Sequence, residues 1–262
     1  MSTRTFILSA LLICLLSILA VLAWRHGQRR VDERAERLVA EQPAAPVAAV
    51  APPATPPPAP RPRIAAAPLT GDAALAQKIC RGGGNDGAQA SLFGHHRYAQ
   101  ASAGALTAAP DGFGGGNCTQ IHGDMAQSLK ELLAAAQGED AALGVSLRGI
   151  SCYRAIPRQA GLFCNPRKIA SRGYAGQAKW VAPPGFSEHS TGYAIDFGAR
   201  DGRCDVQPCF AGTPQGRWLA ANASRFGFEL SFPQGNAQGV SYEPWHYRWV
   251  GNGAARGQFA GQ

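Results

Sequence analysis

No cysteine in this chain has a CxxC partner, no serine sits in a G-x-S-x-G elbow, and no G-x-x-x-x-G-K-[ST] loop occurs. The first absence argues against a cysteine-built zinc site. The second argues against a hydrolase-type serine nucleophile, and the third against a loop that cradles phosphates. A basic stripe with interleaved aromatics is also missing, so nucleic acid is not an expected partner. The net charge is nevertheless +8, from 25 Lys and Arg against 17 Asp and Glu. Much of that excess lies before the part able to fold, and the mild remainder suits anionic wall polymers or lipid surfaces.

The 262 residues are enough for one catalytic domain and additional segments. From Phe6 to Trp24 no residue is charged, over a length a bilayer core requires. Arg4 precedes the run as in an export signal, and Val21-Leu22-Ala23 offers a cleavage reading. The expectation for residues 1–41 is a membrane anchor or signal segment with a basic flank, uncleaved in the favoured reading. Arg25, Arg29, Arg30, Arg34 and Arg37 would by the positive-inside tendency keep the C-terminal side of the run in the cytoplasm. The cysteines argue the other way. Apart from Cys14, they are Cys80, Cys118, Cys152, Cys164, Cys204 and Cys209. An even set after an export segment reads as a disulfide framework in an oxidising compartment. Order along the chain suggests Cys80–Cys118, Cys152–Cys164 and Cys204–Cys209.

Residues 42–68 are almost pure Ala and Pro, with Arg61 and Arg63 added. Such a stretch has no apolar face to bury and favours extended polyproline, a linker or tether. A single domain is expected from 69 to 262. Within it, Asp124 to Gln137 reads as a helix with Asp124 as N-cap and Leu129, Leu132 and Leu133 on one face. Thr213-Pro214 reads as N-cap and first turn of another, burying Trp218, Leu219 and Phe226 and stopping at Gly227. Strands are expected at 228–232 and 246–250. Helices and strands that do not alternate regularly indicate an α+β fold with a mostly antiparallel sheet flanked by helices. Residues 71–118 suggest no function, and His95 and His96 read as surface residues.

Chemistry concentrates in two stretches, Ser187-Glu188-His189-Ser190-Thr191-Gly192-Tyr193-Ala194-Ile195-Asp196 and Glu243-Pro244-Trp245-His246-Tyr247-Arg248. They supply two imidazoles, a carboxylate ligand and a spare carboxylate, the inventory of a catalytic zinc site. His189 and Asp196 are seven positions apart, which suits a loop running into a strand rather than one helical face. Gly192 between them permits a conformation or close approach that a side chain would block. Asp196 lies in an apolar run, where a buried carboxylate is costly unless a cation compensates it. Pro244 argues for a turn leading into an edge strand, His246 to Val250. Upstream, residues 147–154 read as a strand ending in a turn, with a helix starting at Pro157.

The pattern SxHxxGxAxD followed by ExWHxR resembles the VanY-like D-alanyl-D-alanine carboxypeptidases, zinc peptidases that trim peptidoglycan stem peptides. The resemblance runs from about Gly144 to Gly251. It implies Zn2+ held by His189, Asp196 and His246, with Glu243 taking the proton of the attacking water. It assigns Arg154, and with it Gln159, to the scissile carbonyl side, and Ser187 to the substrate peptide near its free carboxylate. Ser187 also reads simply as a residue that orders the loop. Cys152 and Ala155 depart from the family's usual Gly and Ser. The implied fold is α+β, the implied partner is peptidoglycan, and the implied location is the extracytoplasmic side of the cell envelope, the periplasm. Related peptidases cut L,D bonds or act as endopeptidases with the same motifs, and a non-catalytic wall-binding module is the remaining reading.

Overall fold

The computed structural model describes residues 69–83 and 89–260. The expected anchor over residues 1–41 and the linker over 42–68 lie outside the described residues. Among the described residues no helix is long and apolar enough to cross a membrane.

The centre is a four-stranded antiparallel sheet, β5 (Leu147–Ser151), β6 (Ala194–Ala199), β8 (His246–Trp249) and β7 (Phe228–Leu230), side by side in that order. The α+β class and antiparallel sheet are as the sequence indicates. One expectation fails: β8 is not an edge strand, because β6 and β7 flank it on either side. Pro244 stands just before the strand, so its missing N–H costs the ladder nothing.

Alternation decides which side chains reach the site. Ile195 and Phe197 of β6 and Tyr247 and Trp249 of β8 enter the core. Their neighbours in sequence point to the other face. Register places Asp196 opposite His246 and Ser151 opposite Asp196, so one cross-strand row carries all three.

Helix α2 (Ala126–Glu139) covers the core through Leu129, Leu132 and Ala136, while Leu133 is only half-buried. Asp124 is not its N-cap. A 3₁₀ turn (Gly123–Met125) precedes the helix, and the Asp124 carboxylate instead accepts from the Tyr193 hydroxyl and the Asn252 amide. Thr213 does cap α6 (Pro214–Asn222), its hydroxyl accepting from the Gly216 N–H at 3.0 Å. Trp218 and Leu219 are buried there and Phe226 is half-buried, and the following turn closes at Gly227 with φ of 78°.

The cysteine pairing by chain order needs correction at two of three bonds. The structure pairs Cys80 with Cys164 and Cys118 with Cys152, while Cys204–Cys209 is as expected. Helix α1 (Gly71–Cys80) joins α4 (Ile156–Phe163) and α5 (Pro166–Ala178) in a small apolar cluster of Ala76, Phe163 and Ala178, with Cys80 and Cys164 against it. Cys118 meets Cys152 because its neighbour Asn117 bridges to Ser151 at the end of β5. Contacts distant in sequence thus override proximity along the chain. Thiol titration of denatured, unreduced protein lacking Cys14 is expected to find almost no reactive thiol. Two or more would dismiss the framework.

Candidate metal centre and catalytic pocket

His189 sits on a buried 3₁₀ turn (Glu188–Thr191) that ends at Gly192. The positive φ of Gly192, 75°, suits glycine, and a β-carbon there would lie 3.1 Å from the His122 nitrogen. Both reasons expected for this glycine apply. The turn sets His189 beside the row from β6 and β8. His189, Asp196 and His246, all buried, offer ligand atoms that lie within 4.8 Å of one another.

Each imidazole is oriented from behind. The His189 Nδ1 donates to the Cys152 carbonyl at 2.8 Å, leaving Nε2 to face Asp196 Oδ2 at 3.1 Å. The His246 Nε2 donates to Glu188 Oε2 at 2.9 Å, leaving Nδ1 facing Asp196 Oδ1 at 2.9 Å. A carbonyl only accepts, so the proton on His189 Nδ1 is assigned by its partner. Two nitrogens and a carboxylate aimed at one point fit a divalent cation such as zinc, and the anchoring of the rear nitrogens is what a metal-binding histidine requires.

Glu188 is the residue that sequence reasoning missed. It is 2% exposed, and it accepts from the Ser231 hydroxyl at 2.6 Å and from Arg248 at 3.0 Å as well as from His246. Burial works against its charge, but His246, Arg248 and Ser231 hold its pKa down at about 2. Burial likewise opposes a charge on His246, yet Asp196 and Glu188 raise its pKa, so the site favours a cation at Nδ1, which zinc would supply in place of the proton. The only sequence signal was position: a carboxylate adjacent to the first ligand histidine inside the motif. Glu188→Gln keeps an acceptor for His246 but removes the negative charge. Its zinc affinity, read by chelator competition, is expected to fall by about tenfold or more, the usual scale for removing such a support. Parent-like affinity would reduce Glu188 to a packing role.

Glu243 reaches the site from a turn closed by the His246 N–H donating to the Glu243 carbonyl at 3.0 Å, with Pro244 at the second position. Its Oε2 lies 3.8 Å from His246 Nδ1, and burial pushes its carboxyl up to about 8 against the pull of His246. Arg154 lies across from it in the same cavity of about 290 Å³, with Nη2 3.5 Å from Asp196 Oδ2. Ser187, 4% exposed, lines that cavity too.

Two expectations change here. Gln159 does not line the cavity. Its oxygen accepts from Arg154 Nη1 at 2.8 Å and its amide donates to the Ala182 carbonyl at 2.6 Å, so it positions the guanidinium together with Ser151. A glutamine three residues into the helix after Arg154 faces back toward the preceding turn, which is why it meets the arginine rather than the cavity. His95 is not a surface residue either. It is 3% exposed, lines the cavity, and its Nε2 lies 2.7 Å from the Ala178 carbonyl. The short β1–β2 hairpin (Ser91–Leu92 and His95–His96) carries it inward, and nothing in the local sequence signals that. Cys152, unusual for the motif, is explained by its disulfide to Cys118, which ties down the strand end whose carbonyl orients His189.

Comparison with known proteins agrees with this geometry. The VanY family model, described as D-alanyl-D-alanine carboxypeptidase, matches residues 119–252. A putative carboxypeptidase YodJ of Bacillus subtilis is 35% identical over 139 residues, 52% of this chain and 48% of that protein. A D-alanyl-D-alanine carboxypeptidase of Enterococcus faecalis is 39% identical over 138 residues, 48% of this chain and 47% of that protein. The chain thus spans about half the length of these relatives. A solved structure of the LdcB LD-carboxypeptidase superimposes with a TM-score of 0.51 at 31% identity, over 60% of this chain and 72% of that one. With more than half its length matched by the family model and both motifs converging on one buried cluster, the chain belongs to the VanY family of D-alanyl-D-alanine carboxypeptidases.

Proposed function

We propose that this protein is a zinc-dependent carboxypeptidase that removes the terminal D-alanine from peptidoglycan stem peptides. The observation that carries the reading is the clustering of His189, Asp196 and His246 within 4.8 Å, with the spare Glu243 carboxyl beside them in one cavity. Zinc bound by those three residues would supply Lewis acidity, polarising the scissile carbonyl and acidifying a water molecule. Glu243 accepts the water's proton as the new C–O bond forms, then passes it to the departing amine as the C–N bond breaks. A buried carboxyl placed beside the ligand cluster suits both halves of that task. Arg154, kept in place by Gln159 and Ser151, holds the carbonyl oxygen as negative charge grows there. Ser187 serves the substrate's free carboxylate. The enzyme works in the cell envelope on the periplasmic side, held to the membrane by residues 1–41; oxidised cysteine pairs and a wall substrate support that location.

Mass spectrometry of muropeptides incubated with the protein tests the reading. Conversion of pentapeptides to tetrapeptides, blocked by a chelator, is the expected result. Trimming of tetrapeptides alone would assign L,D specificity, as in the structural relative. Opened cross-links would make the protein an endopeptidase, and an unchanged profile would leave a binding module.

A further inference from the structure

Four large apolar side chains stand exposed among the described residues: Leu69, Leu162, Trp180 and Val206. Two of them, Trp180 at 55% and Val206 at 49%, line the same cavity as the metal ligands although they come from separate segments. Trp180 follows α5 in the stretch that leads to Ser187, and Val206 lies in the loop between β6 and α6. Scattered exposed apolar residues need no explanation, but a pair converging on the mouth of a catalytic cavity marks contact surface.

Val206 is also held there deliberately. Its φ is +46°, a left-handed conformation that β-branched residues rarely adopt, and Cys204 has φ of +63°. Both its flanks are anchored: Cys204 is bonded to Cys209, and the Asp205 carboxylate pairs with Arg148 of β5. A six-residue clasp, Cys204 to Cys209, therefore presents an apolar side chain to solvent at the cavity edge, in a backbone state that other contacts must maintain.

We infer that Trp180 and Val206 form a binding subsite for the acyl side of the peptide substrate, upstream of the scissile bond. The inference rests on the carboxypeptidase reading. An enzyme that releases one terminal residue keeps only that residue on the leaving side, so whatever extends from the mouth belongs to the acyl side. The indole face and the valine methyls offer contact area for the CH-rich backbone and side chains of an extended peptide, at little entropic cost to the protein. The rim thus makes the enzyme prefer long stem peptides over minimal ones.

Steady-state hydrolysis of acetyl-D-Ala-D-Ala and of L-Ala-γ-D-Glu-L-Lys-D-Ala-D-Ala measures that preference as a ratio of kcat/KM. Trp180→Ala is expected to lower the ratio by about tenfold, mainly through KM for the pentapeptide. Cys204→Ser/Cys209→Ser, which releases the clasp, is expected to lower it in the same direction. A ratio within about twofold of the parent in Trp180→Ala would overturn the subsite, since a tenfold change corresponds to only 1.4 kcal/mol. A loss seen only with a disaccharide-linked pentapeptide would assign the rim to sugar and likewise overturn the peptide assignment. If neither peptide is cleaved by the parent, the carboxypeptidase reading fails. Calorimetric titration of the pentapeptide then decides the subsite by itself: weaker binding to Trp180→Ala supports it, and equal or absent binding to both proteins rejects it.

Discussion

Glu243→Gln is expected to lower hydrolysis of a D-Ala-D-Ala pentapeptide by about a hundredfold or more, the usual scale for removing a positioned general base. Glutamine preserves the shape of the side chain and a hydrogen-bonding group, but it cannot receive a proton. The turn that carries residue 243 is closed by main-chain bonds, His246 N–H to the Glu243 carbonyl and Glu243 N–H to the Phe232 carbonyl, so the backbone should not move. Zinc should stay bound at parent stoichiometry, because Glu243 lies outside the three-residue ligand cluster. D-alanine release and metal content measured on the same preparation separate the two effects. Release at the parent rate would refute the proton-transfer role, whatever the family membership.

His246→Ala should have the opposite profile, with metal and activity lost together. The substitution takes away one of three ligands and also the imidazole that lies between Asp196 and Glu188, 2.9 Å from each. Glu188 then loses the N–H it accepts from and Asp196 the ligand that shares the ion with it, two buried carboxylates less well compensated, which costs stability as well as affinity. Elemental analysis is expected to fall from about one zinc per chain in the parent to near none, as for a catalytic site that depends on three protein ligands. Equal zinc in both proteins would remove His246 from the ligand set. The pair of variants distinguishes chemistry from binding, since only Glu243→Gln should retain a full metal complement.

The reactive centre was legible in the sequence because each motif is local. His189, Gly192 and Asp196 fall on one continuous turn and strand, and Glu243 and His246 on one turn, so spacing alone carries their geometry. The helix starting at Pro214 was legible for the same reason: its Thr213 cap is a contact over three residues. What was not legible depends on contacts between distant segments. Cys80 and Cys164 are 84 residues apart and meet only through packing of α1 against the helices around Phe163. That β8 is an inner strand is due to its pairing with β6 and β7, which no property of residues 246–250 announces. His95 reaches the cavity from a two-residue strand too short to show any period. Glu188 was in plain view, yet a charged residue in a motif reads as solvated until Ser231, His246 and Arg248 are seen around it.

The single row of Ser151, Asp196 and His246 across β5, β6 and β8 has a consequence for how the molecule matures. Side chains alternate faces along a strand, so a slip of β8 by one position would turn His246 into the apolar interior and present a neighbouring aromatic to the cavity. A sheet misaligned in this way keeps only His189 and Asp196 of the three ligands. Zinc held by all three ligands would bind the correctly aligned molecule best, and mass action would then favour that alignment, by about 2.7 kcal/mol when free metal exceeds Kd a hundredfold. The ion would in this sense proofread strand alignment as well as serve the reaction, and a chelated preparation should melt at lower temperature and regain its native sheet more slowly than one refolded with zinc.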